Sequence, residues 1–408
     1  MQRRFSTRLP WDTPANPFTQ LREQAAALHI SPINLIDLNP LSQLPLVHSP
    51  DLLRSFSSAR ALTYTPTPQG DLGMRQTIAA YYEQRGYHVR PRDIVLCSSS
   101  SEGYQWLFQL LANPGETVLF PEPGYPLLSI LANLAGVRST SYPIRRLHRY
   151  QIFVQEIAGA LTDDTRAVVA VSPNSPTGNF FRETDCERLV DLLTVRQIPL
   201  ISDEVANDYV LEDPYPAEGR RIFSIADGLD SPFQDAPFLR FILSGCSKVL
   251  GMPQIKLGWI VVLGPEPLRT EAQNRLELIA DMFLSVSAPT QHGTPPLFSM
   301  RSELFGRMFS RIQESYRMLR QWAEHAPVTL ASVEGGFTAV LRLPNIMDED
   351  EWLKELLLKE ELIVHPGYFY DLADGPNIVL SLLTNQTSLR EGLARLGARL
   401  DMLCPHTP

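Results

Sequence analysis

Between about residues 92 and 265 the chain alternates short apolar runs with longer amphipathic stretches. The apolar runs are rich in Val, Ile and Leu and alternate little with polar residues, which is typical of strands that are buried on both faces of a sheet. They predict six strands: Ile94–Cys97, Thr117–Phe120, Ala167–Val171, Pro199–Ser202, Phe238–Leu243 and Trp259–Leu263. The amphipathic stretches predict helices at Glu102–Ala112, Pro126–Leu134 and Arg182–Arg196. Because strands and helices alternate, the pattern indicates an α/β unit with a mostly parallel sheet.

The C-terminal third has a different pattern, with long helical stretches near Glu266–Leu284 and Pro295–His325 followed by a smaller α/β unit. In that unit we predict strands at Val328–Leu330, Phe337–Leu343 and Ile378–Leu382, and helices near Glu349–Leu358 and Ser388–Met402. Residues 1–50 are irregular apart from a short helix near Pro17–Leu28. We therefore predict an N-terminal arm at 1–50, a large domain at 51–290 and a small C-terminal domain at 291–408.

The composition of the 408-residue chain is that of an ordinary globular protein, with 44% hydrophobic and 20% charged residues. A net charge of −9 argues against a nucleic-acid partner, which needs a basic surface. No apolar run reaches the roughly 20 residues of a membrane-spanning helix, so we expect no membrane association. The basic start Met1–Arg8 lacks a following apolar stretch and does not resemble a secretory signal. Four cysteines without a C-x-x-C pair fit a reducing cytoplasm and give no metal-binding spacing.

Lysine is rare in this chain: of 36 basic residues four are Lys and the other 32 are Arg. Arg can replace Lys as a surface cation, but not where an amine loses its proton and attacks a carbonyl. Two of the four, Lys248 and Lys256, lie in the run SGCSKVLGMPQIKLGW at 244–259, directly after a predicted strand. Reactive groups of α/β folds lie at such strand ends. The run is either a loop with two solvated lysines or a site where Lys248 forms a Schiff base and Lys256 holds a phosphate.

Two further runs place polar groups after buried strands. Asp203 ends a strand in the run LISDEV at 200–205, where a buried carboxylate needs a cation or another strong donor unless it only caps the next helix. The run CSSSSEGY at 97–104 ends a strand in four serines and starts a helix. The free N–H groups of such a helix start, together with nearby hydroxyls, can hold a phosphate, although a plain helix cap explains one serine equally well.

Taken together, these runs resemble class I/II aminotransferases, which are fold type I pyridoxal-phosphate enzymes, and the resemblance covers about residues 30–400. It implies an α/β fold with a large domain around a mostly parallel sheet of the seven-stranded type and a smaller C-terminal α/β domain. It also implies pyridoxal 5′-phosphate as cofactor. Lys248 matches the lysine that forms the Schiff base and later moves the proton, and Asp203 matches the Asp that pairs with the pyridinium nitrogen. The other matches are Ser100 and Ser101 at the phosphate, Ser247 within the S-x-S-K motif, and Lys256 in place of a phosphate-binding Arg.

Further matches concern the faces of the cofactor and a second subunit. Tyr125, in the run PEPGYP at 121–126, matches the aromatic residue that stacks on the cofactor ring. Tyr64, in YTPTPQG at 64–70, matches a tyrosine that reaches the phosphate in the neighbouring subunit, which implies a homodimer with shared active sites. The run SPNSPTG at 172–178 matches N-P-x-N-P-T-G, so that either Ser175 or Asn174 contacts the 3′ oxygen of the cofactor.

The chain also departs from the family pattern. Val379 stands where the family has an Arg that binds the substrate α-carboxylate, and a Val cannot make that bidentate contact. Arg342 is a candidate replacement, although an Arg exposed on a strand is the simpler interpretation. Ala206 stands where a Tyr that contacts the 3′ oxygen is frequent, and Tyr209 is a candidate to compensate in part.

The function implied by the resemblance is ping-pong transfer of an amino group from a small amino donor to a keto acid acceptor. Two alternatives stay open at this point. One is a different reaction on the same cofactor, such as β-elimination or decarboxylation. The other is a binding module that keeps the cofactor without turnover, which the changes at Ser175, Ala206 and Val379 motivate.

Overall fold

The computed structural model describes residues 6, 8–9, 16–43, 54–57 and 59–404. Most of the basic start, and part of the predicted arm at 1–50, therefore lie outside the described residues. The strands are β1 Ile33–Asn34, β2 Ile94–Cys97, β3 Thr117–Glu122, β4 Arg138–Arg146, β5 Tyr150–Ile152, β6 Thr165–Val171, β7 Phe181–Arg182, β8 Leu200–Asp203, β9 Arg221–Ile222, β10 Arg240–Gly245, β11 Gly258–Leu263, β12 Thr329–Leu330, β13 Thr338–Arg342, β14 Leu362–Ile363, β15 His365–Pro366 and β16 Asn377–Ser381.

Helices lie between most of these strands. They are α1 Pro17–Ala27, α2 Pro40–Gln43, α3 Leu72–Glu83, α4 Ser100–Leu111, α5 Leu127–Ala135, α6 Val154–Ala160, α7 Glu183–Arg196, α8 Cys246–Val249, α9 Glu266–Phe283, α10 Ala288–Gly293, α11 Pro295–Ser299, α12 Arg301–Ala323, α13 Glu349–Lys354 and α14 Gln386–Leu403. Helix α13 continues as a π-helical turn at Glu355–Lys359. Single 3₁₀ turns occur at Ala59–Leu62, Pro91–Asp93, Pro216–Glu218, Pro253–Ile255 and Gly367–Tyr370.

The main sheet has eight strands in the order β2-β11-β10-β8-β6-β3-β4-β5. Strands β10, β8, β6, β3 and β4 pair in parallel, whereas β11 is antiparallel to both of its neighbours. Strand β5 folds back on β4 as an antiparallel edge. Every residue of β8, β10 and β11 is buried, which explains why the sequence of the central strands lacks polar alternation.

Helices cover both faces of this sheet. One face packs Val169, Phe241 and Ile260 against α4, α5 and α9 in one hydrophobic cluster. The neighbouring residues along the same strands, Ala170 and Ile242 among them, point to the other face and pack against α3 and α7. The alternation of side chains along each strand thus builds two helical layers around one sheet.

A second, smaller sheet has the order β12-β13-β16-β15 and is antiparallel throughout. One face, with Ala339, Leu341 and Leu380, forms a core with α1, α12 and α14. The opposite face, with Val340 and Val379, joins the hydrophobic cluster of the main sheet. The small sheet therefore presents Val379 toward the main sheet.

The six predicted strands are all present, and so is the predicted mostly parallel sheet. The sheet has one strand more than the seven-stranded type, because β5 adds an edge beyond β4. Strand β4 gave no apolar run since its side chains alternate between exposed and buried positions. The helix predicted over 295–325 is two helices, α11 and α12, separated at Met300, whose ψ of −1° departs from the helical value. The division at residues 50 and 290 stays a prediction.

No helix among the described residues is long and apolar enough to cross a membrane.

Candidate active site

The ends of three neighbouring strands bring the predicted catalytic groups together. Asp203 ends β8 and is in register with Val171 of β6 on one side and Leu243 of β10 on the other. Two residues after Leu243, β10 ends at Gly245 and the short helix α8 carries Lys248. The carboxyl ends of parallel strands thus place the acid and the amine at one edge of the main sheet, where α/β folds bind ligands.

The Lys248 amine lies in a largely apolar setting. Its Nζ atom is 4.6 Å from the centroid of the Phe337 ring, and the Tyr209 hydroxyl donates to the Lys248 carbonyl oxygen at 2.8 Å. Burial lowers the pKa of Lys248 to about 8, against the opposing effect of the Asp203 charge. A substantial fraction of the amine is therefore neutral near physiological pH, which is what nucleophilic attack on a carbonyl requires.

Asp203 is buried but keeps two strong donors. The Tyr104 hydroxyl donates to Oδ2 at 3.0 Å, and the Val205 N–H donates to Oδ1 at 3.1 Å. Burial raises the pKa of Asp203 to about 6, although these two hydrogen bonds and the charge of Lys248 oppose that rise. The carboxylate is mostly ionised at pH 7 and can pair with a protonated ring nitrogen.

The start of α4 forms a cup beside these groups. Its N-terminal cap is Ser99, whose hydroxyl accepts from the Glu102 N–H at 3.2 Å. Ser100 and Ser101 occupy the first helical positions, where N–H groups have no partner within the helix. The main chain at Gly258 packs closely against the start of α4, since a Cβ at Gly258 would lie 3.1 Å from the Ser100 nitrogen. This approach leaves main-chain N–H groups available for an anion.

The other residues predicted around the phosphate are placed differently from one another. Ser247 is half-buried on α8, next to Lys248. Lys256 is exposed and has a left-handed backbone (φ 53°) between the Pro253–Ile255 turn and β11. Its side chain makes no ion pair with any described residue.

The two candidates for the 3′ oxygen have different surroundings. The side-chain amide of Asn174 is buried and donates to the Pro123 carbonyl at 3.0 Å and to the Thr177 hydroxyl at 2.7 Å. Both of its N–H bonds are thereby used within the protein, whereas its Oδ1 atom has no partner among the described residues. Ser175 is half-buried and its hydroxyl is unbonded within the described part of the chain. Of the two, Ser175 has the donor that remains free.

The two aromatic candidates, Tyr125 and Tyr64, differ in their exposure and in their surroundings. Tyr125 is 39% exposed, and burial together with the Asp203 charge raises its pKa, so its hydroxyl lies within the field of that carboxylate. Tyr64 is 78% exposed and lines a cavity of about 300 Å³ with Trp106, Ser285 and Gln291. Lys248 and Asp203 do not line that cavity. Tyr64 is thus an outward-facing residue in the single chain.

The residues at the departures from the family pattern can now be placed. Val379 is fully buried between Val340 and His365, its cross-strand neighbours in the small sheet. Burial and the charge of Arg22 lower the pKa of His365 to about 4, so this wall carries no positive charge of its own at neutral pH. Arg342 does not replace the missing cation, because it is exposed at the far end of β13 and lies 3.9 Å from Asp374.

Tyr209 does not take over the role of the tyrosine missing at Ala206. Its one O–H bond is donated to the Lys248 carbonyl, and its ring packs against Phe337 at a centroid distance of 4.4 Å. Tyr209 therefore fixes the backbone that carries Lys248.

Sequence reasoning missed Tyr104 and Phe337, which contact Asp203 and Lys248. Both are distant from their partners along the chain, by 99 residues in the first case. One signal was present for Tyr104, since it lies one helical turn after the Ser100 start of α4 and thus near the strand ends. Phe337 gave none, because a buried aromatic residue at the start of a strand is ordinary.

Comparisons with known proteins identify the family of the chain. The family model for aminotransferase class I and II matches residues 43–396. The alanine aminotransferase of Mycobacterium tuberculosis is 25% identical over 396 residues, covering 92% of this chain and 88% of that protein. The glutamate-pyruvate aminotransferase AlaA of Haemophilus influenzae is 24% identical over 361 residues, covering 86% and 85%.

Solved structures share the fold. An alanine aminotransferase from Pyrococcus furiosus has a TM-score of 0.84 at 19% identity and covers 98% of this chain and 100% of its own. An aspartate aminotransferase from Thermotoga maritima has a TM-score of 0.79 at 22% identity, covering 97% and 100%. Since the family match spans most of the chain and the fold is the same, this protein belongs to the class I and II aminotransferases, enzymes that transfer amino groups.

Proposed function

We propose that this chain is a pyridoxal-phosphate-dependent aminotransferase in which Lys248 is the reactive amine and Asp203 its partner across the cofactor. The observation that carries the proposal is the pairing of a lysine with a pKa near 8 and a buried, mostly ionised carboxylate at the same edge of the sheet. Burial opposes the charged form of each group. Opposed pKa shifts of this kind are typical of catalytic sites.

The residues present fit pyridoxal phosphate. The α4 cup, narrowed by Gly258, offers main-chain N–H groups and the hydroxyls of Ser100 and Ser101 to a phosphate. We also assign Ser247 and Lys256 to the phosphate, and the unbonded hydroxyl of Ser175 to the 3′ oxygen. When bound, the cofactor supplies a carbonyl for the lysine and a protonated ring that withdraws electrons from the substrate carbon.

The chain's own residues then have defined tasks. Asp203 holds a proton on the ring nitrogen, with Tyr104 and Val205 keeping the carboxylate ionised. Lys248 in its neutral form accepts the proton from the α-carbon of the amino donor, and as an ammonium it returns one. Tyr125, which is partly exposed, would stack on the ring of the bound cofactor.

The substrates proposed are a small amino donor and a keto acid acceptor. Relatives of this chain carry the names alanine and glutamate-pyruvate aminotransferase. The wall formed by Val379, Val340 and neutral His365 offers no cation to an α-carboxylate. We therefore expect weak discrimination between amino donors with and without an α-carboxylate, and no strict demand for dicarboxylic substrates.

We further propose that two copies form the active unit. Tyr64 and Leu62 are strongly exposed, and so are Leu278, Met282 and Phe283 at the end of α9. Exposed apolar side chains in this density mark an association surface. We assign Tyr64, which is 78% exposed, to the phosphate site of the partner copy.

All four cysteines are unpaired thiols, and three of them, Cys97, Cys186 and Cys246, are buried. Unpaired buried thiols persist where the surroundings are reducing. This supports the cytoplasm as the proposed compartment.

The cofactor and the lysine are tested together. Purified protein given pyridoxal phosphate is expected to absorb visible light, and borohydride is expected to bleach that band and fix the cofactor on Lys248. Lys248→Ala removes the fixed adduct, whereas Lys354→Ala, which changes an exposed lysine of α13, leaves it unchanged. A colourless protein, or an adduct on another lysine, contradicts the proposal. A screen of amino donors that follows loss of the visible band then separates transamination from elimination, since only transamination yields a keto product without ammonia.

The shared site is tested by mixing two inactive variants. Tyr64→Ala and Lys248→Ala homodimers are each expected to be impaired. Heterodimers of the two contain one site with both Lys248 and the Tyr64 of the other copy, so they are expected to recover about half of the wild-type activity per dimer. A mass of one chain, 45.9 kDa, by light scattering would rule out the dimer.

A further inference from the structure

Glu334 is fully buried, and it is surrounded by donors rather than by apolar side chains. Its Oε2 atom accepts from the Phe180 N–H at 2.9 Å, and its Oε1 atom accepts from the Arg182 guanidinium. Arg149 lies 3.9 Å from the same carboxylate. The Glu334 carboxylate is thereby bound by Phe180, Arg182 and Arg149. These residues belong to the part of the chain that forms the main sheet, called the main-sheet half below.

The backbone of Glu334 is held as well. Its N–H donates to the Gly178 carbonyl at 3.1 Å, and its carbonyl accepts from the Leu211 N–H at 2.9 Å and from the Arg221 guanidinium at 3.1 Å. Every polar group of this residue is thus used to fix the segment 333–337, defined here as the Glu334 segment, against the main-sheet half.

The Glu334 segment ends beside the reactive lysine. The Phe337 ring lies 4.6 Å from Lys248 Nζ and packs on Tyr209, whose hydroxyl donates to the Lys248 carbonyl. Gly336 donates to the Tyr209 carbonyl at 2.9 Å, and a Cβ at Gly335 would come within 2.6 Å of both the Phe180 ring and the Tyr209 carbonyl. The main chain between Glu334 and Phe337 therefore packs directly on Phe180 and Tyr209.

We propose that Glu334 is a positioning residue for the reaction, holding Phe337 over the Lys248 amine through the Glu334 segment and so keeping water away from that amine. The assignment rests on the proposed role of Lys248 and extends the set of residues that control it. Glu334 acts through Phe337 rather than by its charge, since Arg182 and Arg149 compensate that charge locally.

The groups facing Lys248 leave burial as the main influence on its protonation. The charged group that acts on the amine is Asp203 on β8, which favours the ammonium form. Tyr209 is neutral because burial raises its pKa, and Tyr104 bonds Asp203 and is neutral for the same reason. The π face of Phe337 favours the ammonium form, whereas burial, the first cause of the lowered pKa of Lys248, favours the neutral amine.

The rarity of lysine gives a direct readout on the full-length chain without cofactor. Reductive methylation with ¹³C-formaldehyde labels four lysine amines and the N-terminus, and NMR resolves their titration separately. The Lys248 signal is assigned by its absence in Lys248→Arg. In wild type its midpoint is expected near 8. In Glu334→Ala it is expected to rise by about one pH unit, and in Glu334→Gln, which keeps an acceptor for the Phe180 N–H, by about half as much.

A matched control and a double variant make the inference specific. Glu349 is a half-buried carboxylate that also accepts from two backbone N–H groups, Tyr368 at 2.8 Å and Asn377 at 2.9 Å, without a link to the Glu334 segment. Glu349→Gln is expected to leave the Lys248 midpoint unchanged. Phe337→Leu is expected to raise it, and Glu334→Ala combined with Phe337→Leu is expected to match Phe337→Leu alone, because both changes act on one contact.

The outcomes separate the two proposals. A Lys248 midpoint that is the same in Glu334→Gln, Glu334→Ala and wild type overturns the positioning role, and so does a double variant whose shift is the sum of the single ones. If Glu334→Ala does not fold, Glu334→Gln and Phe337→Leu decide the question in the same way. A wild-type protein that takes up no cofactor while its Lys248 still titrates near 8 refutes the proposed function but not the positioning of the amine.

Discussion

Removing the Tyr104 hydroxyl is expected to change how the affinity for pyridoxal phosphate depends on pH. Tyr104→Phe keeps the buried ring and deletes the O–H that donates to Asp203 Oδ2 at 3.0 Å, leaving the Val205 N–H as the remaining donor. A hydrogen bond to a charged group contributes about 1.5–3 kcal/mol, and one pKa unit corresponds to about 1.4 kcal/mol. Burial already raises the pKa of Asp203 to about 6. Loss of the hydroxyl is expected to raise it further, to about 7–8.

Cofactor binding needs the ionised form of Asp203. Asp203 pairs with the protonated ring nitrogen only when it is ionised, so a higher pKa weakens binding at neutral pH and has little effect at high pH. Titration of pyridoxal phosphate by visible absorbance is expected to give about two- to tenfold weaker binding at pH 7 and wild-type affinity near pH 9. Tyr142→Phe is the control, since that buried hydroxyl donates at 3.0 Å to the Val169 carbonyl instead. A loss of affinity in Tyr104→Phe that is independent of pH, or a similar shift in the control, would refute the reasoning.

Three further changes test other parts of the structure. Burial raises the pKa of Glu204 to about 7, above its unfolded value near 4.3, so the stability of the wild type falls as the pH rises between these values. The unfolding free energy of Glu204→Gln relative to wild type is therefore expected to increase by at most ~3 kcal/mol between pH 4.5 and pH 8. The same difference between the two proteins at both pH values, measured by urea unfolding, would contradict this. Gly258→Ala would place a Cβ 3.0 Å from the Ser99 carbonyl carbon. It is expected to lower the unfolding free energy by about 1–3 kcal/mol and to weaken phosphate binding. Gly306→Ala is the control, since the space around its Cβ is open and the change should not destabilise the fold. Val379→Arg buries an unpaired cation and is expected to lower the unfolding free energy by about 3–5 kcal/mol. An amino donor with an α-carboxylate is expected to restore part of this stability in a thermal-shift assay. Equal effects of donors with and without that group would argue against Val379 facing the substrate.

Much of the fold was readable along the chain because it rests on local patterns. Strands β2, β8 and β10 were predictable because their runs are mostly apolar, as expected for strands that are buried on both faces. Strand β4 escaped prediction because it is partly exposed and mixes Arg, Ser and Thr with apolar residues. Its pairing with β3 depends on the neighbour, which no window of the sequence contains.

The proposed reactive groups were likewise selected from the sequence where chemistry restricts the residue type. Lys248 was singled out because lysine is scarce and no Arg can perform its reaction, and Asp203 because a carboxylate at the end of a buried strand requires a purpose. The sequence also showed that Val379 is not a cation. It did not show whether Arg342 takes over, because that depends on the register of β13 against β16, which places Arg342 beside Asn377 and away from Val379.

By itself the sequence determined the alternation of elements, the strand ends on which the proposed site is built, and which lysine and aspartate are proposed as its amine and acid. Those properties depend on residue type and short spacing, which the chain states directly. Only the tertiary structure decided how these groups are tuned. The donor to Asp203, the ring over Lys248 and the buried anchor Glu334 come from segments distant along the chain, and their effects on protonation arise from burial, which exists only once those segments have packed together.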